Sequence, residues 1–323
     1  MTILFAASEL AGLTPSDSSV VEDSGSGTFY TPYSRAAVRL GSTAGYAFTP
    51  RLGAQSLWWQ HWAVVDVTGF GNGVYSEWLN NAGISMIKMQ SDGSIYNFTF
   101  WNGSTYAATA GGISINAGAL NQYDIKITAG SGFKVYVAGT LRYDSIIDGG
   151  VASMPAVTDI ASFRKHCVVN FSSNSWVSEV IITNSEPTVG WRLLSDGAFA
   201  AGGVNSFSGS YANVNEIVLD DTNYVNSTTA GDVSTYAYPA PAVTSFSIKA
   251  VVLGFRAKTD SGGPQNMLGV ARIGGTNYTK TIAPALDVGY LGSNVIYATN
   301  PATGVAWLPG DLSSTELGMQ SAA

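Results

Sequence analysis

"SLWWQHWAVVDV", residues 56–67, is the stretch that decides which fold class the sequence predicts. Large side chains occupy both alternating sets of positions, with Leu57, Trp59, His61, Ala63 and Val65 in one set and Trp58, Gln60, Trp62 and Val64 in the other. Successive side chains of a β-strand point to opposite faces of the sheet, so this strand would carry bulk on both faces. Such a pattern is typical of a central strand that is covered on both sides.

Similar strand-like segments surround this stretch at intervals of about 8–12 residues, the spacing of antiparallel sandwiches and barrels. They lie at 73–79, 83–89, 94–101, 123–128, 133–139, 166–171 and 176–183. Asp92-Gly93 and Asn102-Gly103 supply the positive φ angles that tight hairpin turns require. The segment 157–165, VTDIASFRK, fits a helical turn or an edge strand equally well.

A change of composition divides the chain in two. Residues 195–212, SDGAFAAGGVNSFSGSYA, contain few large apolar side chains. With 323 residues the chain also exceeds the usual size of a single core. We therefore predict a domain at 1–198 and a smaller one at 199–323. Strand-like segments continue at 213–221, 233–238, 244–258, 266–275, 277–283 and 294–299, and 244–258 is long enough to cross a whole sandwich.

The C-terminal stretch NPATGVAWLPGDLSSTELG, residues 300–318, predicts one short helix at about 309–318. Pro309 suits the first helical position, and Asp311 in the first turn complements the positive helix N-terminus. Leu308, Leu312 and Met319 form an apolar stripe, and Gly318 can end the helix. Trp307 would fill the sheet edge that the helix covers. The predicted fold is all-β, with two sandwich domains, the second closed by this helix.

Composition and charge exclude several functions. The net charge of −7 and the absence of a Lys/Arg cluster argue against nucleic-acid binding. The sequence contains no run of about 18 apolar residues, so membrane insertion is not predicted. The opening MTILFAASEL lacks the basic segment of a signal peptide, so folding in the cytosol of the producing cell is expected. The single cysteine, Cys167, cannot form an intrachain disulfide.

The sequence offers little for catalysis. His61 lies within an apolar strand and is expected to be a hydrogen-bonded core residue. His166 and Cys167 are neighbours on a strand and point to opposite faces, so they cannot act as a pair. The strand-borne acids Glu77, Asp124 and Glu179 are isolated, whereas glycosidases use two facing carboxylates. Neither a zinc motif nor a nucleophile motif is present, and we predict that the chain is not an enzyme.

Two binding sites have weak support in the sequence. Asp220 and Asp221 could contribute carboxylates to a calcium site, but they belong to no spaced acidic ladder and fit a polar strand end better. A sugar-stacking surface could be formed by aromatic side chains, namely Trp58, Trp62, Trp78 and Trp101. Core filling is the favoured interpretation of these tryptophans.

Several motifs resemble a family of tailed-bacteriophage structural proteins. They are S-E-V-I at 178–181, G-W-R at 190–192, N-E-x-x-L-D-D at 215–221, T-A-G at 229–231 and N-P-A-T-G-x-A-W at 300–307. The resemblance covers nearly the whole chain and is most specific from Ser178 to Gly318. It implies an N-terminal concanavalin A-like (laminin-G-like) jelly roll and a smaller C-terminal β-domain. Leu308-Pro309-Gly310 departs from the family, which has a Thr N-cap and an Ala-rich first turn there.

The resemblance implies a non-enzymatic virion protein, assembled in the bacterial host cytoplasm. A tail fibre or spike, a head decoration and a vertex turret all remain open. Its partners would be other virion proteins and further copies of itself in a homo-oligomer, with attachment to a host-surface glycan as an additional role. Two alternatives stay open: a free lectin-like carbohydrate-binding module, and a degenerate sandwich glycosidase or lyase that would depend on Glu77 or Glu179.

Overall fold

The computed structural model describes residues 2–16, 20–23, 37–41, 46–65, 72–114, 119–166, 175–216, 220–241, 245–260, 262–282 and 287–323. The chain forms two compact units, Met1–Leu194 and Ser195–Ala323. The predicted boundary, between 198 and 199, lies four residues after this division. No helix in the described ranges is long and apolar enough to cross a membrane. Cys167 and most of the predicted strand 166–171 lie outside these ranges.

The described residues of the first unit form fifteen strands. In chain order they are β1 (Ile3–Ala7), β2 (Thr14–Pro15), β3 (Val20–Asp23), β4 (Ala37–Leu40), β5 (Tyr46–Phe48), β6 (Leu57–Val65), β7 (Asn72–Leu79), β8 (Ser85–Asp92), β9 (Ile95–Trp101), β10 (Tyr106–Ser114), β11 (Leu120–Thr128), β12 (Gly132–Val137), β13 (Thr140–Asp144), β14 (Ser162–His166) and β15 (Ser175–Thr183). The ambiguous segment 157–165 therefore contributes the start of a strand, β14.

These strands form two antiparallel sheets. An eight-stranded sheet has the order β13-β12-β11-β6-β15-β4-β3, with β1 also paired to β15, and a seven-stranded sheet has the order β10-β9-β8-β7-β14-β5-β2. β6 lies between β11 and β15, and its residues from Trp58 to Val64 are all buried. The alternation in 56–67 therefore predicted the central strand correctly.

Aromatic side chains fill the space between the two sheets. The Trp62 ring of β6 lies 5.8 Å from the rings of Trp78 and Phe163 in the opposite sheet. Gln60 links the sheets as well, because its Oε1 accepts hydrogen bonds from Trp58 Nε1 at 3.0 Å and Trp78 Nε1 at 2.8 Å. The buried amide thus satisfies two indole donors that would otherwise be costly to bury.

The second unit is a smaller sandwich. Its elements are β16 (Ala200–Asn205), a 3₁₀ turn (Tyr211–Asn213), β17 (Val233–Ala237), β18 (Val251–Ala257), β19 (Asn266–Ile273), β20 (Thr276–Thr281), β21 (Leu291–Tyr297), α1 (Pro309–Leu312) and β22 (Thr315–Ala322). A five-stranded sheet has the order β16-β17-β22-β19-β20, and β18 pairs with β21. Leu253, Val295 and Trp307 belong to the buried cluster of this unit. The all-β fold with two sandwiches is confirmed.

The predicted C-terminal helix at 309–318 is wrong beyond Leu312. Residues 315–322 form β22, which pairs with β17 on one side and β19 on the other. Inter-strand hydrogen bonds on both sides outweigh the local helix signals of Pro309 and Asp311, which produce only one turn. Leu308 is exposed, so it belongs to no buried apolar stripe, whereas Trp307 is buried as expected.

Two further strand predictions in this unit need correction. In the segment 244–258 the strand begins only at Val251, because the ladder with β21 ends at the pair Val251–Tyr297. A strand over the whole segment would place Phe246 on the inner face with Ile248 and Val252, but Phe246 is exposed. In the segment 213–221 the described residues form no strand, and 217–219 lie outside the described ranges.

Candidate functional site

A row of side chains crosses the seven-stranded sheet on the face that points away from the core. Strand pairing places six residues side by side from β5 to β10: Phe48, Arg164, Glu77, Lys88, Thr99 and Ala108. Their neighbours Trp78, Ile87 and Phe163 are buried between the sheets. Because side chains alternate along each strand, the row lies on the outer face. We call this surface the Glu77 face, and it also includes Tyr46, His166, Trp101 and Tyr106.

The Glu77 carboxylate is at the centre of the row. His166 Nε2 lies 2.9 Å from Glu77 Oε2, within hydrogen-bonding distance. Lys88 Nζ and Arg164 Nη1 each lie 3.8 Å from a Glu77 oxygen. Burial raises the pKa of Glu77, but the hydrogen bond to His166 and the charges of His166, Lys88 and Arg164 outweigh it and hold this pKa below its ordinary value of 4.5. Glu77 is therefore ionised at neutral pH.

Aromatic rings flank the charged centre on both sides. At the β5 side, the Arg164 guanidinium lies 5.0 Å from the centre of the Tyr46 ring. At the β10 side, Lys88 Nζ lies 3.8 Å from the centre of the Tyr106 ring, which packs edge-on against Trp101 at 5.4 Å. Tyr106 is 40% exposed and Trp101 is partly exposed. Each cation is thus held over a ring that solvent can reach.

The predicted sugar-stacking surface is wrong for three of its four tryptophans. Trp58, Trp62 and Trp78 are completely buried in the core between the two sheets. The favoured interpretation, core filling, is correct for them. Of the four, Trp101 alone lies on the Glu77 face, and no sequence pattern groups it with Tyr46 or Tyr106. Only the strand register brings these residues together.

The remaining catalytic candidates lie in the other sheet and are buried. His61 Nδ1 lies 3.1 Å from Asp124 Oδ1, and Thr188 Oγ1 donates a 2.8 Å hydrogen bond to the same oxygen. His61 is thus a hydrogen-bonded core residue, as expected. Glu179 is fully buried and accepts from Arg192 Nε and Nη2, both at 2.7 Å. Glu77 and Glu179 therefore belong to different sheets and do not form a facing pair.

Asp220 and Asp221 face different partners. Asp220 Oδ1 accepts from the backbone N and Oγ1 of Thr222, at 2.8 and 2.6 Å. Both oxygens of Asp221 accept from Arg256, at 2.8 and 2.9 Å. Among the described residues, no group of three or more His, Cys, Asp or Glu side chains is arranged to hold a metal ion. The geometry therefore adds no support to the calcium prediction.

The charge network around Glu77 predicts a pH dependence of stability. A carboxylate whose pKa is lowered by folding contributes stability above its unfolded pKa, and this contribution is lost as pH falls through the folded value. At neutral pH the unfolding free energy of the wild-type protein should be about 1 kcal/mol higher than that of Glu77→Gln. The difference should shrink between about pH 5 and pH 3. Urea denaturation of both proteins measures it, and a difference independent of pH would contradict the assignment.

No protein-family model and no curated protein matches the chain. Among solved structures, the globular domain of T. cruzi calreticulin is 11% identical with a TM-score of 0.44, and the match covers 57% of this chain and 89% of that one. The cellulose-induced protein Cip1 is 11% identical with a TM-score of 0.42, covering 55% and 93%. Domain 4 of the Geobacillus stearothermophilus arabinanase AbnA, in complex with arabinotriose, is 11% identical with a TM-score of 0.37, covering 56% and 91%. At these values none of the three provides an argument about function.

Proposed function

We propose that the chain is a non-catalytic carbohydrate-binding protein and that the Glu77 face binds the glycan. The observation that carries the proposal is the combination of accessible rings and polar groups along one sheet face. Rings such as Tyr106 and Trp101 can stack on the apolar faces of sugars. Thr99 and its hydrogen-bonded neighbour Gln90 provide groups for sugar hydroxyls.

The dimensions of the face suit an extended oligosaccharide. Five strand spacings separate β5 from β10, in the order β5-β14-β7-β8-β9-β10. At about 4.8 Å each they span about 24 Å along the sheet. Tyr46 and Tyr106 stand on these two strands, so a chain of several sugars could contact rings at both ends. A single sugar could contact only one.

A binding role fits this face better than hydrolysis. Glycosidases place two carboxylates about 5–9.5 Å apart across the bond that they cleave. Glu77 is the one carboxylate in the row of six, and its ionisation makes it a poor proton donor at neutral pH. The enzyme alternative requires glycan cleavage that Glu77→Gln abolishes. We expect no cleavage of any glycan that the protein binds.

We propose a phage virion as the setting, on the resemblance of Ser178–Gly318 to tailed-phage structural proteins. Glycan binding would then attach the particle to its host, and further copies of the chain and other virion proteins would be its partners. Mass spectrometry of purified particles tests this setting. The chain should be present in a fixed, symmetry-related copy number, and its absence from particles would leave the free lectin-like module as the function.

Replacing Tyr106 by Ala should weaken glycan binding about tenfold, because one stacked ring is worth about 1 kcal/mol beyond its buried area. A glycan array with the full chain identifies a ligand, and calorimetry then gives the affinities of wild type and variant. Tyr224, which is 52% exposed in the second unit, provides the matched control Tyr224→Ala. An equal loss of affinity in both variants would contradict the proposed location of the site.

A further inference from the structure

The Glu77 face carries an excess of positive groups on an acidic chain. The whole protein has a formal net charge of −7. Around the single carboxylate of Glu77, however, stand Lys88, Arg164 and His166. Another carboxylate, Asp92, ends β8, four residues from Lys88 and therefore about 13 Å along the strand. Its oxygens accept from the turn amides of Ser94 and Ile95 and from Asn97 Nδ2.

The donors of Lys88 and Arg164 are not engaged closely by Glu77. Both ion pairs measure 3.8 Å, beyond hydrogen-bonding distance. In contrast, Arg192 holds Glu179, and Arg256 holds Asp221, at 2.7–2.9 Å. The Arg164 side chain is also 37% exposed and that of Lys88 20% exposed. Their donors can therefore reach a ligand.

The aromatic rings of Tyr46 and Tyr106 hold the cationic groups of Arg164 and Lys88 in position. Arg164 is held over Tyr46 and Lys88 over Tyr106, so each cation stands beside a ring on which a sugar could stack. Arg164 is on β14 and Lys88 on β8, two strand spacings apart, which corresponds to about 10 Å. Glu77 lies between them and repels an anion at the centre. Two separated positions for negative groups result, one on each side of Glu77.

We propose that the Glu77 face selects acidic glycans, and that Arg164 and Lys88 bind carboxylate groups on successive or alternate sugars. This inference rests on the proposed carbohydrate-binding function and adds the class of ligand. A planar guanidinium can bind a carboxylate through two parallel hydrogen bonds, and the lysine supplies a point charge. A neutral glycan could use the rings but would offer no negative group to Arg164 or Lys88.

The test compares each acidic glycan with its own uncharged form. The probes are polygalacturonate, alginate, hyaluronan and polysialic acid, each also prepared with its carboxyl groups reduced to alcohols, and binding to the full chain is measured by calorimetry. At least one acidic polymer should bind, and its reduced form should bind about tenfold or more weakly, as expected for lost charge-assisted hydrogen bonds. Binding of the acidic form should weaken with added salt.

Variants then assign the effect to residues. Arg164→Gln and Lys88→Gln should each weaken binding of the acidic polymer about tenfold and leave binding of the reduced polymer unchanged. The matched control is Lys126→Gln, because Lys126 also lies over a ring, that of Trp59, but in the eight-stranded sheet. Lys126→Gln should keep wild-type affinity. Thermal unfolding of all variants checks that the fold is retained.

The outcomes separate failure of the inference from failure of the proposed function. Equal affinity for acidic and reduced polymers, with Arg164→Gln and Lys88→Gln unchanged, overturns the selection of acidic glycans while carbohydrate binding stands. No binding to any acidic, reduced or neutral glycan overturns both. Binding of polyglutamate or DNA as tightly as the acidic polymer overturns the inference, because the face would then recognise negative charge rather than a sugar acid.

Discussion

Arg192→Met should lower the unfolding free energy of the first unit by about 3–5 kcal/mol, the cost of leaving a buried charge without its partner. The Glu179 carboxylate is 0% exposed and its two oxygens accept from Arg192 Nε and Nη2. Methionine keeps the length and apolar stem of arginine but supplies no charge and no donor. The hydrogen bond from the backbone N of Leu193, at 3.3 Å, supplies no positive charge and cannot replace the guanidinium.

The backbone at Glu179 adds to this dependence. Glu179 has a φ of 51°, in the left-handed region that costs a non-glycine residue about 1–2 kcal/mol. It lies in the irregularity between Ser178 and Ile181, where β15 shifts register against β6. The Glu179 backbone N also donates to Ser8 Oγ at 3.1 Å. Loss of Arg192 therefore removes one of the contacts that hold a strained residue in place.

The chain contains its own control for this prediction. Arg256 also binds an aspartate through two hydrogen bonds, but the Asp221 side chain is 43% exposed. Water can solvate Asp221 after Arg256→Met, so we expect a cost of about 0–1 kcal/mol. Urea denaturation followed by tryptophan fluorescence measures Arg192→Met in the first unit, which holds seven of the eight tryptophans, and hydrogen exchange on peptides from β18 measures Arg256→Met in the second unit. Equal effects of Arg192→Met and Arg256→Met would contradict the role of burial.

The double variant Arg192→Met, Glu179→Gln separates charge from packing. Removing both partners eliminates the uncompensated buried charge, so the double variant should be more stable than Arg192→Met alone. Hydrogen exchange of β15 amides would show the same order. If the double variant instead loses as much unfolding free energy as Arg192→Met and Glu179→Gln together, the two side chains do not act as a pair.

Much of the fold could be predicted from local pattern. The alternation in 56–67 identified β6 as a central strand because bulk on both faces requires cover on both sides. It could not show that Trp58 and Trp78 share the amide of Gln60, because that contact joins two sheets. Fold class depends on periodicity within a segment, which a sequence displays directly.

The Glu77 face could not be predicted in this way. Its central row draws Phe48, Glu77, Lys88 and Arg164 from four different strands. Each is one polar or aromatic side chain in an alternating segment. An outward position in such a segment does not by itself indicate a functional site. In the sequence alone, Glu77 is therefore an isolated acidic residue. Only the register between β14, β7 and β8 shows that Lys88, Arg164 and His166 surround it.

At the C-terminus the local helix signals predict a longer helix than the structure contains. Pro309 and Asp311 do begin a helix, and Leu308 N donates to Asp311 Oδ2 at 2.9 Å. The helix ends after four residues because the following chain pairs with two strands that are distant in sequence. Gly318, which the sequence predicts as the helix end, lies opposite Thr235 on one side and Val270 on the other.

Gly318→Ala should therefore destabilise the second unit by about 3 kcal/mol or more, at the upper end of overpacking costs, because the obstruction is backbone. An added Cβ would overlap the carbonyl oxygen of Ser234 and lie 2.7 Å from the Cα of Thr235. β22 is held between β17 and β19, so it cannot move away from one neighbour without losing pairing to the other. No flexible side chain can yield instead.

Gly310→Ala is the matched control, since an added Cβ there meets nothing within 4 Å. It should be neutral or stabilise by up to about 1 kcal/mol, because alanine favours helix over glycine. Hydrogen exchange with mass spectrometry, read on peptides from β17 and β22, measures both variants in the second unit separately from the first. A helix at 309–318 would make Gly318→Ala harmless, whereas a central strand makes it the more damaging substitution, so the order of the two variants decides between the structures.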